Sequence, residues 1–144
     1  MTKKPSLPVA SESQEQRSLI LWASLAAVME PRLRLLMAIP NQAVRPGNRG
    51  ALVAEGVRAG VPDLFLPTSS GGFHGLWIEL KRRSGGRLSV EQKEWIAKLR
   101  GQGYRAEVCA GWEVAKDVIL EYLHGGRWVE MDLENHATAQ PVKC

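Results

Sequence analysis

Two short segments, Asp63-Leu64-Phe65-Leu66 and Trp77-Ile78-Glu79-Leu80-Lys81, constrain the fold of this chain more than any other feature. Both have strand length, and the first is bounded by Pro62 and Pro67. Side chains on a strand alternate faces, so Glu79 and Lys81 share one side of the second segment while Ile78 and Leu80 take the other. A charged pair is therefore displayed above an apolar floor. Ser69-Ser70-Gly71-Gly72 between the segments reads as a turn, which makes them a hairpin in outline. If the two strands pair, Asp63 at the mouth of the first converges with Glu79 and Lys81 of the second.

The surrounding sequence alternates helix and strand signals. Ser11 and Ser13 are each followed three residues later by a glutamine, as in a capping box, and open a helix expected to reach about Met29. Leu19, Ile20, Ala23, Ala26 and Ala27 give it an apolar stripe, and Pro31 ends it. Leu33 to Ile39 is expected to be a strand closed by Pro40-Asn41. A basic, glycine-rich loop follows over residues 45–50, then a short helix from about Ala51 to Glu55. Ser89 caps a helix running to about Arg100, Tyr104 to Ala110 is the last core strand, and Trp112 to Leu123 is a helix with Ala115, Val118, Ile119 and Tyr122 on one face. The order α, β, short α, β, β, α, β, α marks an α/β chain. At 144 residues it suits one domain. Residues 1–10 read as a flexible tail, 11–123 as the domain, and 124–144 as an extension with a short acidic strand at Arg127 to Leu133 and a disordered end.

Several function classes are disfavoured. No apolar run approaches the roughly 20 residues of a membrane span, and Lys3-Lys4 is not followed by the apolar core of a signal peptide. A soluble, cytoplasmic protein is expected. Cys109 and Cys144 offer neither a disulfide framework nor a zinc site, Cys109 reading as core packing, and His74, His124 and His136 lack metal-ligand spacing. The five tryptophans read mostly as core or interface, with Trp77 on the Glu79 face. The formal charge is only +4, yet it is unevenly spread. Residues 81–105 hold eight cations, Arg82, Arg83 and Arg87 among them, against Glu91 and Glu94; residues 31–60 hold five arginines against Glu55. Such an excess on both sides of the acidic hairpin fits a polyanion such as DNA.

Phosphodiester hydrolysis needs an activated water, charge relief on the phosphoryl oxygens and help for the departing oxygen. Carboxylates are hard ligands suited to Mg²⁺ or Mn²⁺. Asp63 and Glu79 are the expected metal ligands, with a backbone carbonyl near Leu80 completing the set, and Lys81 is placed to orient water or stabilise charge on phosphorus.

The linked motifs Gly60-Val61-Pro62-Asp63-Leu64-Phe65-Leu66, Trp77-Ile78-Glu79-Leu80-Lys81 and Leu88-Ser89-Val90-Glu91-Gln92-Lys93 resemble the VRR-NUC family of the PD-(D/E)xK nuclease superfamily. Ile39-Pro40-Asn41, Glu55-Gly56-Val57 and Gly103 to Cys109 support the likeness, which covers roughly residues 11 to 123. The resemblance implies a restriction-endonuclease-like core, a central mixed β-sheet flanked by α-helices, with Asp63, Glu79 and Lys81 as the active-site trio. It also implies an acidic residue on the first helix, for which Glu12, four before Gln16, fits best and Glu15 is the alternative. It assigns Gln92 a contact with Lys81 or phosphate, although Ser89 and Gln92 also form a capping box. Asn41 and Arg45 are expected to reach a phosphate, although Gln42-Ala43 stand where the family commonly has glycines. Small stand-alone members resemble phage proteins that cut branched DNA, in some cases as dimers. A structure-selective DNA endonuclease acting as a homodimer is the expectation; its rivals are a catalytically silent nucleic-acid-binding module of the same fold and an adaptor protein.

Overall fold

Leu64 and Leu66 on one strand, and Leu76, Ile78 and Leu80 on the next, are each no more than 1% exposed, so the two leading segments are core strands. The computed structural model of the chain describes residues 8–41 and 45–125. Strand β2 (Leu64–Leu66) pairs antiparallel with β3 (Leu76–Lys81), with Leu64 opposite Ile78 and Phe65 opposite Trp77. The hairpin is as the sequence predicts. On its other side β3 pairs parallel with β4 (Arg105–Ala110), Glu79 lying opposite Val108. A two-residue strand β1 (Met37–Ala38) adds to β2 antiparallel, giving a four-stranded mixed sheet of order β1-β2-β3-β4.

Helices cover both faces because the strands alternate buried apolar residues on each. Leu64, Leu66, Leu76, Ile78, Leu80 and Cys109 pack against α1 (Glu12–Ala26) and α4 (Trp112–His124) through Leu19, Ala23, Ala115 and Ile119. Cys109 is wholly buried, as expected for a packing residue, and burial pushes its thiol up to about 12. On the opposite face Ala106 packs against Ile96 and Leu99 of α3 (Val90–Gly101), with Trp77, Trp95 and Tyr104 alongside. Phe65 stacks on Trp77 with ring centroids 4.2 Å apart, so these rings form the wall of the face that also carries Glu79. Both capping boxes form, Ser11 with Gln14 and Ser89 with Gln92, and Ser11 rather than Ser13 caps α1.

Two expectations are corrected. Helix α1 ends at Ala26 and passes through a turn, short of Met29. The segment expected as a strand from Leu33 to Ile39 is instead a 3-10 helix, Pro31–Leu35, followed by the minimal β1. Pro31 presets the first helical φ and the Glu30 carboxylate accepts from the Arg32 N–H at 3.2 Å, so the chain coils before it can extend. Only Leu33 of that helix is buried, whereas Leu35 and Met37 stay exposed. The apolar run is continuous in sequence without being continuous in the core. The short helix α2 (Arg49–Ala54) starts two residues earlier than expected. The acidic strand at 127–133 lies outside the described residues, as does most of the N-terminal tail.

The approach to Asp63 depends on one glycine. Gly60 has φ +85, and a Cβ there would lie 2.6 Å from the Glu91 carbonyl carbon at the start of α3. Gly60→Ala therefore meets both a backbone that L-residues avoid and a main-chain clash. It should destabilise the protein by about 2 kcal/mol or more, read as a lower urea midpoint at unchanged slope.

Candidate active site

Glu79 and Lys81 are two apart on β3 and share the face toward α3. The β2–β3 register, continued by one residue, brings Asp63 opposite Glu79. Asp63 is fixed at both ends: the Ile39 N–H donates to its carbonyl at 2.7 Å, and its own Oδ2 accepts from the Leu80 N–H at 2.9 Å. Glu79 Oε1 accepts from Lys81 Nζ at 2.8 Å and from Gln92 Nε2 at 2.6 Å. Gln92 Oε1 in turn accepts from Lys81 Nζ at 3.2 Å and from the Ser89 N–H at 2.9 Å. The capping glutamine and the site glutamine are thus one group with both jobs. Its amide joins the first turn of α3 to the face of β3 that carries Glu79 and Lys81.

The site is short of positive charge for the negative charge it buries. Glu79 is 1% exposed, and its Oε2 is a buried oxygen with no hydrogen-bond partner. An orphaned buried carboxylate oxygen is costly unless something polar or cationic faces it. Burial pushes the Glu79 carboxyl up to about 7 against the pull of Lys81, and the neighbouring Asp63 charge adds to the rise. Asp63 is also raised, chiefly by burial, with the Leu80 N–H and Lys81 working the other way. A buried carboxylate and a half-buried one that resist ionising together form a donor set suited to a small hard cation. No group of three or more His, Cys, Asp or Glu side chains among the described residues could hold a metal ion, and an ion at these two carboxylates would need further oxygens from the backbone or solvent.

Glu12 and Glu15 sit one turn apart on α1 with different surroundings. Glu12 Oε1 lies 4.0 Å from Lys81 Nζ with its side chain 42% exposed, at the rim of the site. Glu15 is 1% exposed and fully engaged: Oε1 accepts from Arg83 Nε and Oε2 from the Trp112 N–H, both at 2.9 Å. The structure thus brings Glu12, Asp63, Glu79, Lys81 and Gln92 together.

The nucleic-acid-binding expectations divide. Arg45, Arg82 and Arg87 are exposed cationic residues. The Arg83 guanidinium, half exposed, is held by Glu15 and by Glu113. The Asn41 amide donates to the Val61 carbonyl and secures the loop that leads into Asp63. Sequence reading missed the Glu15–Arg83–Glu113 cluster because its members lie far apart in the chain. The available signal was Gly111, which opens a helix without any side chain to cap it. Gly86 is also needed, because a Cβ there would come within 2.8 Å of Lys81 Cβ and displace the lysine stem.

Gln92→Ala should have two separable effects. Loss of the cap should cost about 1 kcal/mol of stability, and release of Glu79 and Lys81 should lower cleavage roughly 10- to 100-fold. Chemical denaturation and a single-turnover cleavage assay read the two.

The model of the VRR-NUC domain family matches residues 7–113. A solved structure described as a VRR_NUC domain protein superposes with a TM-score of 0.67 at 25% identity, covering 81% of this chain and 90% of that one. A search of curated proteins returns no match. Nucleases of this kind typically use a divalent metal. With its family model matched over most of its length and its fold shared with that solved structure, this chain belongs to the VRR-NUC family of nucleases.

Proposed function

We propose that the chain is a Mg²⁺- or Mn²⁺-dependent DNA endonuclease, and that the observation carrying this reading is the unpartnered, buried Glu79 Oε2 beside Asp63 and Lys81. Asp63, Glu79 and the Leu80 carbonyl would hold the ion. When bound, such an ion supplies Lewis-acid charge relief on phosphoryl oxygens and acidifies water. Asp63, pinned by the Leu80 N–H, presents its carboxylate without needing to reorganise. Lys81 Nζ, held by Glu79 and Gln92, keeps a third N–H to direct at the attacking water or at an equatorial phosphoryl oxygen. Glu12 faces Lys81 from α1 and closes the acidic side of the site. Exposed Arg45, Arg82 and Arg87 lie on loops positioned to meet phosphates.

Preference for branched, flap or junction DNA and action as a homodimer belong to the same reading. One site cuts one strand, so symmetric cutting requires two subunits. Leu21 and Leu25 on α1, with Val28 and Met29 in the turn that follows, are 63% to 80% exposed and support self-association through that face. Among the described residues no helix is long and apolar enough to cross a membrane. A cytoplasmic location, in the host cell if the protein is phage-encoded, belongs to the same reading.

The test is a panel of labelled linear, flap and four-way-junction DNAs incubated with Mg²⁺ or Mn²⁺, beside Lys81→Ala. Metal-dependent cutting lost in the variant is the expected result. DNA bound but never cut by the unaltered protein, across both ions, would establish the silent binding module instead. Mn²⁺ should also raise the melting temperature of the unaltered chain, and should leave Glu79→Gln unmoved.

A further inference from the structure

A cleft of about 280 Å³ opens beneath α2, lined by Asn41, Arg49, Val53, Val57, Arg58 and Gly60. Its floor is anchored to the catalytic strands from two directions. Asn41 donates to the Val61 carbonyl, two residues before Asp63, and Gly60 presses on the backbone of Glu91, the neighbour of Gln92. The cleft is therefore rigidly tied to the groups that surround Glu79. Its rim carries two guanidiniums. Arg58 Nη1 donates to the carbonyls of Val53 at 3.0 Å and Val57 at 3.3 Å, which fixes one corner of the planar head, while Nε and Nη2 carry three further N–H donors. Arg49, the first residue of α2, is exposed on the same rim. The walls between them are Val53 and Val57.

Apolar walls with a fork of guanidinium donors at the mouth match one ligand chemistry, a phosphodiester with its sugar carbons. Glu55 and Glu91 are the acidic residues near this lobe and both are exposed; Glu91, held below its ordinary value chiefly by hydrogen bonds from its own N–H and Ser89, also feels the Arg49 charge. We propose that the cleft seats a backbone phosphate of the DNA strand that flanks the scissile bond, gripped by Arg49 and Arg58, so that α2 sets which bond is presented to Asp63, Glu79 and Lys81. The proposal rests on the nuclease reading. It assigns α2 and its turn to substrate positioning, with neither arginine taking part in the chemical step.

The test uses the full chain carrying Arg49→Ala, Arg58→Ala or both. Binding to the labelled DNA panel is measured in the Asp63→Asn background so that the DNA stays whole. Cleavage positions and rates are measured with Asp63 restored. The double variant should bind about ten- to a hundredfold more weakly, and the slope of log affinity against log salt should shrink by roughly one to two. Its KM should rise more than its saturating rate falls, and its products should spread over neighbouring bonds. Arg49→Ala alone guards against α2 loosening when the Arg58 bonds are lost, and should keep a smaller share of each effect. A double variant with unchanged affinity, salt slope and cut positions, beside an unaltered chain that cuts, overturns this proposal alone. An unaltered chain that neither binds nor cuts DNA overturns the nuclease reading and this proposal with it.

Discussion

Asp63→Asn should lower DNA cleavage by about a thousandfold or more while leaving the fold at least as stable as before. The two halves of that result have different causes. The amide oxygen of asparagine still accepts from the Leu80 N–H, so the strand mouth keeps its one structural bond there. What goes is a hard anionic ligand, and groups that act directly on transition-state charge are each worth on the order of 10² to 10³ in rate. The stability half follows from Glu79. Its carboxyl is pushed up to about 7 by burial, with the Asp63 charge contributing, so the folded metal-free protein binds a proton there that the unfolded chain releases near 4.5. The contribution of this group to stability is therefore fullest below about 4.5 and is lost as pH climbs toward 7. Removing the Asp63 charge should flatten the loss. Urea unfolding in chelator at pH 5 and pH 8 checks this: the variant should gain on the unaltered chain at pH 8 and match it more nearly at pH 5. A variant that is less stable at both pH values, or that cuts at a tenth of the normal rate, would show that Asp63 is a structural residue.

The legible part of this molecule was local. A hairpin with strict alternation, two capping boxes and three helix-strand transitions place Glu79 and Lys81 on one face without any knowledge of the third dimension. The position of Gln92, three after Ser89, made its cap legible, and the contact with Lys81 expected of it is present in the same side chain. The run Leu33 to Ile39 misled because apolar character says nothing about whether a segment coils or extends; the proline and the Glu30 cap decided it locally. The partners of Arg83 and Asn41 were illegible for a different reason. Charge and amide count toward DNA binding only if the fold leaves them unspent, and their partners Glu15, Glu113 and Val61 are non-local or main-chain. A carboxylate shielded by the rest of the fold cannot be told from an exposed one by composition.

The same distinction separates the two acidic residues of α1. Gly111 opens α4 with φ +97 and no side chain, so the Trp112 N–H at the positive end of the helix has no local acceptor. Glu15 supplies one from 97 residues away in sequence, and its second oxygen holds Arg83 just beyond the end of β3. One buried carboxylate thereby joins α1, β3 and α4. Glu15→Ala leaves a helix N–H and a guanidinium without that partner. Because Arg83 is half-exposed and keeps Glu113, the loss falls below that of a fully buried ion pair, at about 2 to 3 kcal/mol, or roughly 8 °C in melting temperature. Glu15→Gln should recover part of it, since an amide oxygen can still accept from Trp112. Glu12→Ala, on an exposed side chain, should change stability by no more than about 0.5 kcal/mol yet reduce cleavage. Thermal melts and cleavage rates measured on the three variants decide between the two positions. If Glu15→Ala melts normally and stops cutting, Glu15 is the helix carboxylate of the active site and the joint at Arg83 is incidental; if it melts early and Glu12→Ala alone loses rate at full stability, one turn of α1 carries a structural anchor and a catalytic group side by side.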